Sequence, residues 1–430
     1  MEKLITPIFI GLLAFTIILA LTKPQWVFPI FLASIPYENL VSIEGNSITR
    51  ILGLIVLFTF LAIAFIDRRP IRFDVPFWLF FMFTLLGLIS IFWSADSSVT
   101  LSTVATLIQL LLLYFLLINQ VTDIKDLDRV MTALFWGSVI FAFFGLGDLI
   151  MGLGGDHSAR LAGIARNPNG YFIYAICMIP ANYWILTIKK NIYLKTLSVF
   201  ILLILLVTSL YTQSRGGLIS LGIFFLVYLY LTTKKFSALF LILIIALVIL
   251  QLTPVAFEDR LLETSTDIRI TGLWPAGWQA ISDRPIVGFG LGMSSRVIPR
   301  YYYQPTGPRS VHSGFLAVGI ELGIIGLILY LLFVIIPTGK LYYWVRRYRK
   351  NNDASHINSV GHILIAVLFA YLSSWIKGGG MEYAKLLWVL VGLQACCASI
   401  LKTVETNIEI KEVARMKKTT ISRQRLEYEK

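Results

Sequence analysis

The chain has 430 residues, of which 57% are hydrophobic and only 14% are charged. A soluble domain has about a quarter of its residues charged, so this composition excludes a soluble globular protein. The mean hydropathy of +0.78 and the repeated long apolar runs predict an all-α polytopic integral membrane protein rather than a barrel of short alternating strands.

The formal net charge is +13, and the chain contains four histidines and three cysteines. The positive-inside rule and a basic tail explain most of this charge, so no nucleic-acid partner is expected. The cysteines, Cys177, Cys396 and Cys397, all lie in apolar runs, which indicates neither a disulfide framework nor a cysteine metal site. We find no metal-ligand cluster, nucleotide-binding fold or phosphate-cradling glycine loop, and therefore expect no metal and no cofactor.

Apolar runs predict about twelve membrane-spanning helices, each near the length that a bilayer core requires. The predicted spans are 4–22, 48–66, 75–93, 101–119, 127–150, 168–187, 193–210, 216–232, 236–252, 313–337, 358–377 and 384–401. A run at 25–37 is short and rich in proline, which breaks the backbone ladder, so it is predicted to be a re-entrant or interfacial segment. The first run lacks a cleavage site and is predicted to be retained.

Short basic loops between the spans fix the predicted orientation. Alternation through the spans puts them all on the cytoplasmic side with the tail. An N-terminus on that side requires that 25–37 does not cross, because a crossing would give thirteen spans. The basic loops are Asp67–Arg72, Lys189–Lys190, Lys234–Lys235 and Arg346–Lys350.

This alternation divides the chain into four regions. Residues 1–252 carry nine transmembrane helices and the short segment near 25–37, and residues 253–312 form a long extracytoplasmic loop. Residues 313–401 carry the C-terminal transmembrane helices, and residues 402–430 form a basic cytoplasmic tail that is amphipathic or disordered. The loop is the one long polar stretch in an apolar chain, and we interpret it as the catalytic loop.

The basic residues of the predicted outer segments 151–167, 211–216 and 253–312 are all arginines, whereas positive charge is normally depleted outside the membrane. A guanidinium offers a rigid fork for phosphate oxygens, so this pattern indicates an anionic ligand. For Arg296, Arg300 and Arg309 an interaction with lipid headgroups is the favoured interpretation. The full set is Arg160, Arg166, Arg215, Arg260, Arg269, Arg284, Arg296, Arg300 and Arg309.

Two motifs on this face combine arginine with turn residues. Arg160 and Arg166 precede Asn167-Pro-Asn-Gly170, whose turn chemistry starts a helix after the proline. In Gln213-Ser-Arg-Gly-Gly217, Arg215 lies between two spans, and the glycines permit a sharp turn and the close approach of a ligand. Each arginine is either a phosphate or sugar contact or a structural residue at the membrane boundary.

Within the loop, Asp267-Ile-Arg269 is followed by Trp274 and Trp278. Tryptophans four residues apart share one face of a helix and favour the lipid interface. Arg269 is then predicted at the partly positive start of a helix lying along the membrane, an end that favours an anion. A structural contact between Asp267 and Arg269 is the alternative. The glycines and proline of 283–292 are predicted to shape the return into the membrane.

His312 opens the span that continues to Glu321. Histidine is the side-chain type whose ordinary pKa suits proton transfer near neutral pH, although a lone interfacial histidine is more often structural. By the helical period, Glu321 lies on roughly the opposite face from His312. It is therefore predicted to contact polar groups between helices rather than the histidine.

In this order, the motifs resemble the bacterial O-antigen ligase and O-antigen polymerase superfamily. The matching pieces are Arg160 to Asn169, Ser214 to Gly217, Arg269 to Gly292 and His312 to Gly323. Ser313 departs from the pattern, because many relatives have asparagine after the histidine, and this loosens the assignment of the acceptor side.

The resemblance implies a twelve-span, metal-independent membrane glycosyltransferase of the GT-C-like type in the bacterial cytoplasmic membrane, with its active site outside. It implies that Arg215 and Arg269 bind the diphosphate of an undecaprenyl diphosphate-linked glycan and that His312 is the catalytic base. Arg160 and Arg166 are further candidate contacts, and the acceptor is a glycan, lipid or protein. Ligase and polymerase both remain open. A transporter or flippase is the competing class, which the almost uncharged interior of the spans disfavours.

Overall fold

The computed structural model describes residues 11, 14–38, 42–43, 46–151, 161–165, 167–233, 268–302, 309–348, 355–377 and 383–428. In these ranges the regular secondary structure is helical, apart from one antiparallel pair of two-residue strands, Ser42–Ile43 and Asn46–Ser47. Ten of the described helical segments are long and apolar enough to cross a membrane. The protein is thus a multi-pass helical membrane protein.

The α-helices are α1 (Val27–Ser34), α2 (Ile48–Ile66), α3 (Val75–Ile89), α4 (Ser97–Gln120), α5 (Ile124–Met151), α6 (Pro168–Cys177), α7 (Ile179–Ile188), α8 (Ile192–Tyr211), α9 (Arg215–Thr233), α10 (Trp274–Asp283), α11 (Ser294–Val297), α12 (Gly314–Tyr348), α13 (Ser355–Lys377) and α14 (Lys385–Tyr428). Residues 14–22 are also helical. Tighter 3₁₀ turns lie at Pro24–Trp26, Ile35–Tyr37, Ser90–Phe92, Gly163–Ala165 and Ile298–Arg300, and a π-helical turn lies at Arg269–Leu273.

The ten candidate spans correspond to ten of the twelve predicted ones, with α6 and α7 together forming one span. The predicted span 236–252 lies outside the described residues, and 4–22 lies partly outside them. Two boundaries differ from the prediction. α12 continues past residue 337 to Tyr348. α14 extends to Tyr428, so the predicted tail is helical as far as that residue.

Polar residues fix where several helices begin. Asp74 accepts a hydrogen bond from the backbone N–H of Phe77 at 2.9 Å, at the start of α3. Asp96 caps α4, and Asn167 caps α6 by accepting from the N–H of Asn169 at 2.9 Å. These side chains satisfy N–H groups that the helix leaves free at its first turn. The predicted helix start after the Asn-Pro-Asn turn is confirmed.

The contacts between helices define two ends of the bundle. The basic face contains Asp67–Arg72, the Lys189–Asp128 ion pair at 2.7 Å and the Arg347–Glu405 ion pair at 2.7 Å. Two of the four predicted basic loops and the described part of a third, Arg346 and Arg347, therefore lie at this end. Arg349, Lys350 and Lys234–Lys235 lie outside the described residues.

The loop face is the opposite end. It contains residues 268–302, the turns 94–96 and 212–214, the start of α6, and Tyr383 before α14. Thr100 at the start of α4 donates to the carbonyl of Leu291 at 2.9 Å, which fixes the loop to the outer ends of α3 and α4.

The segment predicted to be re-entrant, 25–37, follows the whole length of α2. Pro24 and Gln25 line a cavity with Asp67 on the basic face. At the other end, Thr49 at the start of α2 donates to Glu38 at 3.3 Å. The two ends of the segment therefore lie at opposite ends of α2, which differs from the predicted re-entrant path. Burial against protein permits such irregular backbone at membrane depth.

The centre of the bundle is an aromatic cluster between α3, α12 and α14. The ring of Phe80 lies 4.9 Å from that of Phe333 and 5.1 Å from that of Trp388. All three side chains are buried. α12 is thus held between α3 and α14, and its position determines where His312 and Glu321 lie.

Candidate active site

Arg215 is the first residue of α9, and Ser214 fixes the turn that precedes it. The Ser214 hydroxyl accepts from the N–H of Gly217 at 3.0 Å and donates to the side-chain oxygen of Asn169 at 2.7 Å. A Cβ at Gly217 would overlap the ring of Phe172, so the helix start packs directly on α6. The Asn-Pro-Asn and Ser-Arg-Gly motifs, predicted separately, form one structural unit.

Arg160 and Arg166 lie outside the described residues, so their role stays a prediction. The described residues between them are attached to the same unit. The N–H of Leu161 donates to the carbonyl of Tyr211 at 3.3 Å, and the N–H of Gly163 donates to the buried carboxylate of Asp148 at 2.9 Å. This stretch therefore runs beside the end of α8, one turn before Arg215.

Arg269 begins the π-helical turn that leads directly into α10. The turn packs closely, because a Cβ at Gly272 would lie 2.5 Å from the ring of Tyr302. Trp274 is half-buried and Trp278 is exposed. The predicted helical start at Arg269 is therefore present. Asp267, its predicted alternative partner, lies outside the described residues.

α10 rests on the first turns of α12, which places the elements that carry Arg269 and His312 against each other. A Cβ at Gly277 would lie 3.0 Å from Val311. Leu273, Ala276, Val311 and Leu316 belong to one buried apolar cluster. This small core, separate from that of the bundle, holds the described part of the loop on α12.

His312 lies immediately before α12 with a backbone φ of 51°. Its N–H donates to the hydroxyl of Ser310 at 3.1 Å, and it is half-buried between buried Val311 and Ser313. A left-handed backbone is uncommon for a residue with a side chain, and persists where the surroundings determine it. The residue is thus fixed at a helix start on the loop face.

The element that follows His312 connects it with the element that carries Arg215. A Cβ at Gly314 would lie 2.9 Å from the ring of Trp375, near the end of α13. About half a turn deeper along α13, the hydroxyls of Ser373 on α13 and Ser220 on α9 lie 2.9 Å apart. α9 and α12 therefore both pack on α13 near the loop face.

α12 is interrupted at Gly323, where φ is 62° and ψ is −162°. The N–H of Ile324 donates to the carbonyl of Pro285 at 2.8 Å instead of to its own helix. A Cβ at Gly323 would overlap the backbone of Ile286. The glycine-rich part of the loop thus enters the break in the helix, and only glycine fits this position.

The loop also satisfies the carbonyls that the break leaves free. The N–H of Phe289 donates to Ile320 and that of Gly290 donates to Glu321, each at 2.9 Å. Gly288 has a φ of 67°, and a Cβ there would lie 2.5 Å from the carbonyl oxygens of both Ile320 and Glu321. Backbone groups near membrane depth need such internal partners. The prediction that this stretch shapes the return into the membrane agrees with this arrangement.

The Glu321 carboxylate joins three parts of the protein. One oxygen accepts from the hydroxyl of Ser294 in the loop at 2.7 Å, and the other accepts from the hydroxyl of Tyr383 at 2.7 Å. The residue is 2% exposed. The prediction that Glu321 contacts polar groups between helices is confirmed. Its partners lie 27 and 62 residues away, and no local signal identifies them.

Arg296 lies at the rim of the loop and forms an ion pair with Asp96. The hydrogen bond from the Ser98 hydroxyl, that from the Val99 N–H, and the nearby Arg296 lower the pKa of the Asp96 carboxyl to about 2. Lipid headgroups were the favoured interpretation for this arginine. Its described contact is instead with the protein, and the pair ties the loop to α4.

An apolar groove of about 390 Å³ runs between α10 and α12. Its walls include Trp278, Phe315 and Leu327, and its outer end lies at Ser313, next to His312. The indole N–H of Trp274, which also lines the groove, is buried and has no hydrogen-bond partner among the described residues. Such a groove suits the chain of an amphiphile whose polar end lies on the loop face.

In the described part of the chain, no group of three or more histidine, cysteine, aspartate or glutamate side chains could hold a metal ion. The residues that sequence reasoning missed are mainly those that position others: Ser294 and Tyr383 around Glu321, and Asn169 as the partner of Ser214. Serine and tyrosine near a membrane boundary are too common to be singled out without their distant partners.

Residues 200–331 match the family model described as O-antigen ligase. The match contains Arg215, Arg269 and His312 as well as the glycine-rich turn that enters the break in α12. This region of the chain is thus similar to the O-antigen ligase family, and the resemblance indicated by the motifs is confirmed. A comparison with curated proteins finds no match to the chain.

Proposed function

We propose that the protein is a membrane glycosyltransferase that moves a glycan from undecaprenyl diphosphate to an acceptor hydroxyl on the loop face. One observation carries the proposal: the family match includes Arg215, Arg269 and His312, and each of these residues lies at the start of a helical element on that face. The similarity of residues 200–331 to an O-antigen ligase family supports glycosyl transfer as the reaction class. The arginines support a diphosphate in the donor, and the undecaprenyl carrier is taken from the resemblance to the family.

Arg215 and Arg269 would bind the diphosphate. The first turn of a helix presents free N–H groups and a partly positive end, both of which favour an anion. A guanidinium adds two parallel hydrogen bonds to phosphate oxygens. As the diphosphate departs, these groups stabilise the negative charge that develops on its oxygen. Arg160 and Arg166 are proposed as further contacts to the diphosphate or the first sugar.

His312 would act as the general base. In the proposed step, the acceptor oxygen attacks the anomeric carbon while His312 takes the hydroxyl proton. A carbon–oxygen bond forms to the acceptor, and the bond to the diphosphate breaks, with its electron pair leaving on undecaprenyl diphosphate. The histidine then releases the proton to solvent. Attack opposite the leaving group inverts the anomeric centre.

The apolar groove beside α10 would hold part of the isoprenoid chain. It is lined almost entirely by apolar side chains and ends at Ser313, so a lipid lying there would bring its diphosphate close to His312. Trp274 and Trp278, at its rim, are of the residue type that membrane interfaces favour. The half-buried loop would then receive the donor from the bilayer rather than from solution.

The decisive experiment uses purified protein in detergent, a synthetic undecaprenyl diphosphate glycan and EDTA. We expect His312→Ala to reduce release of undecaprenyl diphosphate by about 100-fold or more, the usual loss when a general base is removed. His356→Ala is the matched control, because His356 is exposed at the start of α13, far along that helix from the loop face. Wild-type turnover by His312→Ala would remove this residue from the mechanism.

Adding acceptors one at a time distinguishes the remaining alternatives. Release with a lengthened glycan and no other acceptor would identify a polymerase, and release only with a distinct acceptor would identify a ligase. Movement of the intact donor across a vesicle membrane, without any release, would instead identify a transporter. Arg215→Lys and Arg269→Lys should restore little activity relative to alanine variants, because lysine lacks the two-pronged donor. Arg300→Lys, an exposed arginine of the same loop, is the control.

A further inference from the structure

A second cavity, of about 660 Å³, lies on the basic face at the opposite end of the bundle from His312. It is formed by the residues before α3, the end of α4, the last turns of α12 and the middle of α14. The proposed glycosyl transfer uses none of these residues. The ends of four candidate spans meet here, so the cavity lies at the membrane boundary.

Three cations line this cavity and come from three separate elements: Arg72 before α3, Lys340 on α12 and Lys402 on α14. All three side chains are exposed. None of them forms an ion pair with another residue in the described ranges. A single cation is enough to anchor a helix end at the lipid headgroups. Three cations around one cavity therefore suggest more than the anchoring of separate helices.

One carboxylate, Asp74, also lines the cavity, and it is already committed to other contacts. It accepts from the Phe77 N–H at 2.9 Å and from the Tyr114 hydroxyl at 2.8 Å. Lys340 acts on Asp74 electrostatically. Three positive charges against one negative charge leave a net charge of +2 on the lining. The cavity is therefore complementary to an anion.

Apart from Ser399 and Cys396, the rest of the lining is apolar and favours an amphiphile over a soluble anion. Ile118 and Val121 from the end of α4 and Ala395 from α14 form part of the wall. Trp344 lies at the side of α12 that faces the cavity, and tryptophan is enriched at the headgroup level of membranes. A soluble phosphate would use the cations but leave this wall uncovered.

We propose that this cavity binds the headgroup of an anionic phosphodiester lipid of the surrounding bilayer, with its acyl chains along the apolar wall. Basic pockets between helices on the cytoplasmic side are a recognised form of anionic-lipid site, and the positive-inside rule assigns the basic face to that side. The lipid would fill the space between α3, α12 and α14. It would thereby brace α12, whose other end carries Glu321 and is preceded by His312.

The test is native mass spectrometry of the full chain, titrated with phosphatidylglycerol and, separately, with phosphatidylcholine. The cavity variant is Arg72→Gln, Lys340→Gln and Lys402→Gln combined. The control variant removes the same charge outside the cavity, as Lys125→Gln, Lys190→Gln and Lys195→Gln. We expect phosphatidylglycerol to bind the cavity variant at least about tenfold more weakly than wild type, and the control to bind within about twofold of wild type.

Equal weakening in both variants would overturn the proposal, because it would reflect only the total charge of the basic face. Equal binding of phosphatidylcholine to wild type would also overturn it, as would displacement of the lipid by millimolar inorganic diphosphate. If the triple variant does not fold, Lys340→Gln alone should weaken binding about fivefold. The measurement is independent of turnover, so its failure and a failure of the proposed transferase activity are distinguishable.

Discussion

The two ends of the helix bundle differ in how deeply their charged side chains are buried. On the loop face, the Glu321 carboxylate is 2% exposed and is held by Ser294 and Tyr383. On the basic face, the side chains of the Lys189–Asp128 pair remain 25% and 33% exposed. The first arrangement is closed to solvent, whereas the second stays partly open to it.

The difference follows from the dielectric surroundings. A buried polar network is strong when every member is satisfied and costly when one partner is removed. An exposed ion pair contributes little and is screened by salt. The loop face therefore suits a reaction that needs fixed groups, and the basic face suits orientation in the membrane and lipid binding. Substitutions at the loop face should accordingly have the larger effects.

The largest effect is expected from Gly323→Ala. The new Cβ would overlap the backbone of Ile286, and alanine would need a backbone conformation that favours glycine. We expect a loss of about 3 kcal/mol or more of unfolding free energy, or failure to fold, measured by thermal unfolding in detergent. Gly339→Ala on the same helix meets nothing within 4 Å and should change stability by no more than about 1 kcal/mol. Similar results for the two variants would show that the break is not needed.

Glu321→Ala should have the next largest effect. It leaves the Ser294 and Tyr383 hydroxyls without their acceptor in a buried site, for a loss of about 3 kcal/mol. Tyr383→Phe alone should cost about 1–2 kcal/mol. Because the two side chains interact, the double variant Glu321→Ala/Tyr383→Phe should lose clearly less unfolding free energy than the two single variants lose together. Chemical unfolding of the three variants measures this difference. Full additivity would mean that these side chains do not interact.

Ser214→Ala should have an intermediate effect, because Ser214 both caps α9 and bonds Asn169. We expect a loss of about 1–2 kcal/mol of stability and faster proteolysis near residue 214. Asn169→Ala should give a smaller loss, since the cap remains. Ser102→Ala is the matched control, as its exposed hydroxyl bonds only its own helix, at 2.8 Å to Val99. Equal stability of the Ser214 and Ser102 variants would show that the Ser214–Asn169 bond does not join the Asn-Pro-Asn and Ser-Arg-Gly motifs into one unit.

The smallest effect is expected at the exposed Arg296–Asp96 pair, which lies on the loop face but resembles the contacts of the basic face. Because the pKa of Asp96 is lowered to about 2, the folded state is favoured once Asp96 is ionised. This contribution to the free energy of unfolding is fully present at pH values above 3.8, the usual pKa of an aspartate, and is lost as the pH falls to about 2. The difference in melting temperature between wild type and Arg296→Gln should therefore shrink over that range. A constant difference would point to packing rather than charge.

The order of the main elements could be read from the sequence because the bilayer imposes a length and an apolarity on every crossing. The ten described spans, the cap at Asn167 and the helical start at Arg269 depend on residues close together in the chain. The motifs around Arg215, Arg269 and His312 were likewise local, and their order was sufficient to indicate the family.

The tertiary structure alone decided which distant polar groups meet. The Glu321 carboxylate needed two hydroxyl donors, and Gly323 needed a loop to occupy the break, yet neither set of partners is marked in the sequence. The path of 25–37 along α2 also depends on burial of its backbone by neighbouring helices rather than on its own length. Hydrophobic length is a property of one segment, whereas hydrogen-bond satisfaction inside a membrane protein is a property of the packed whole.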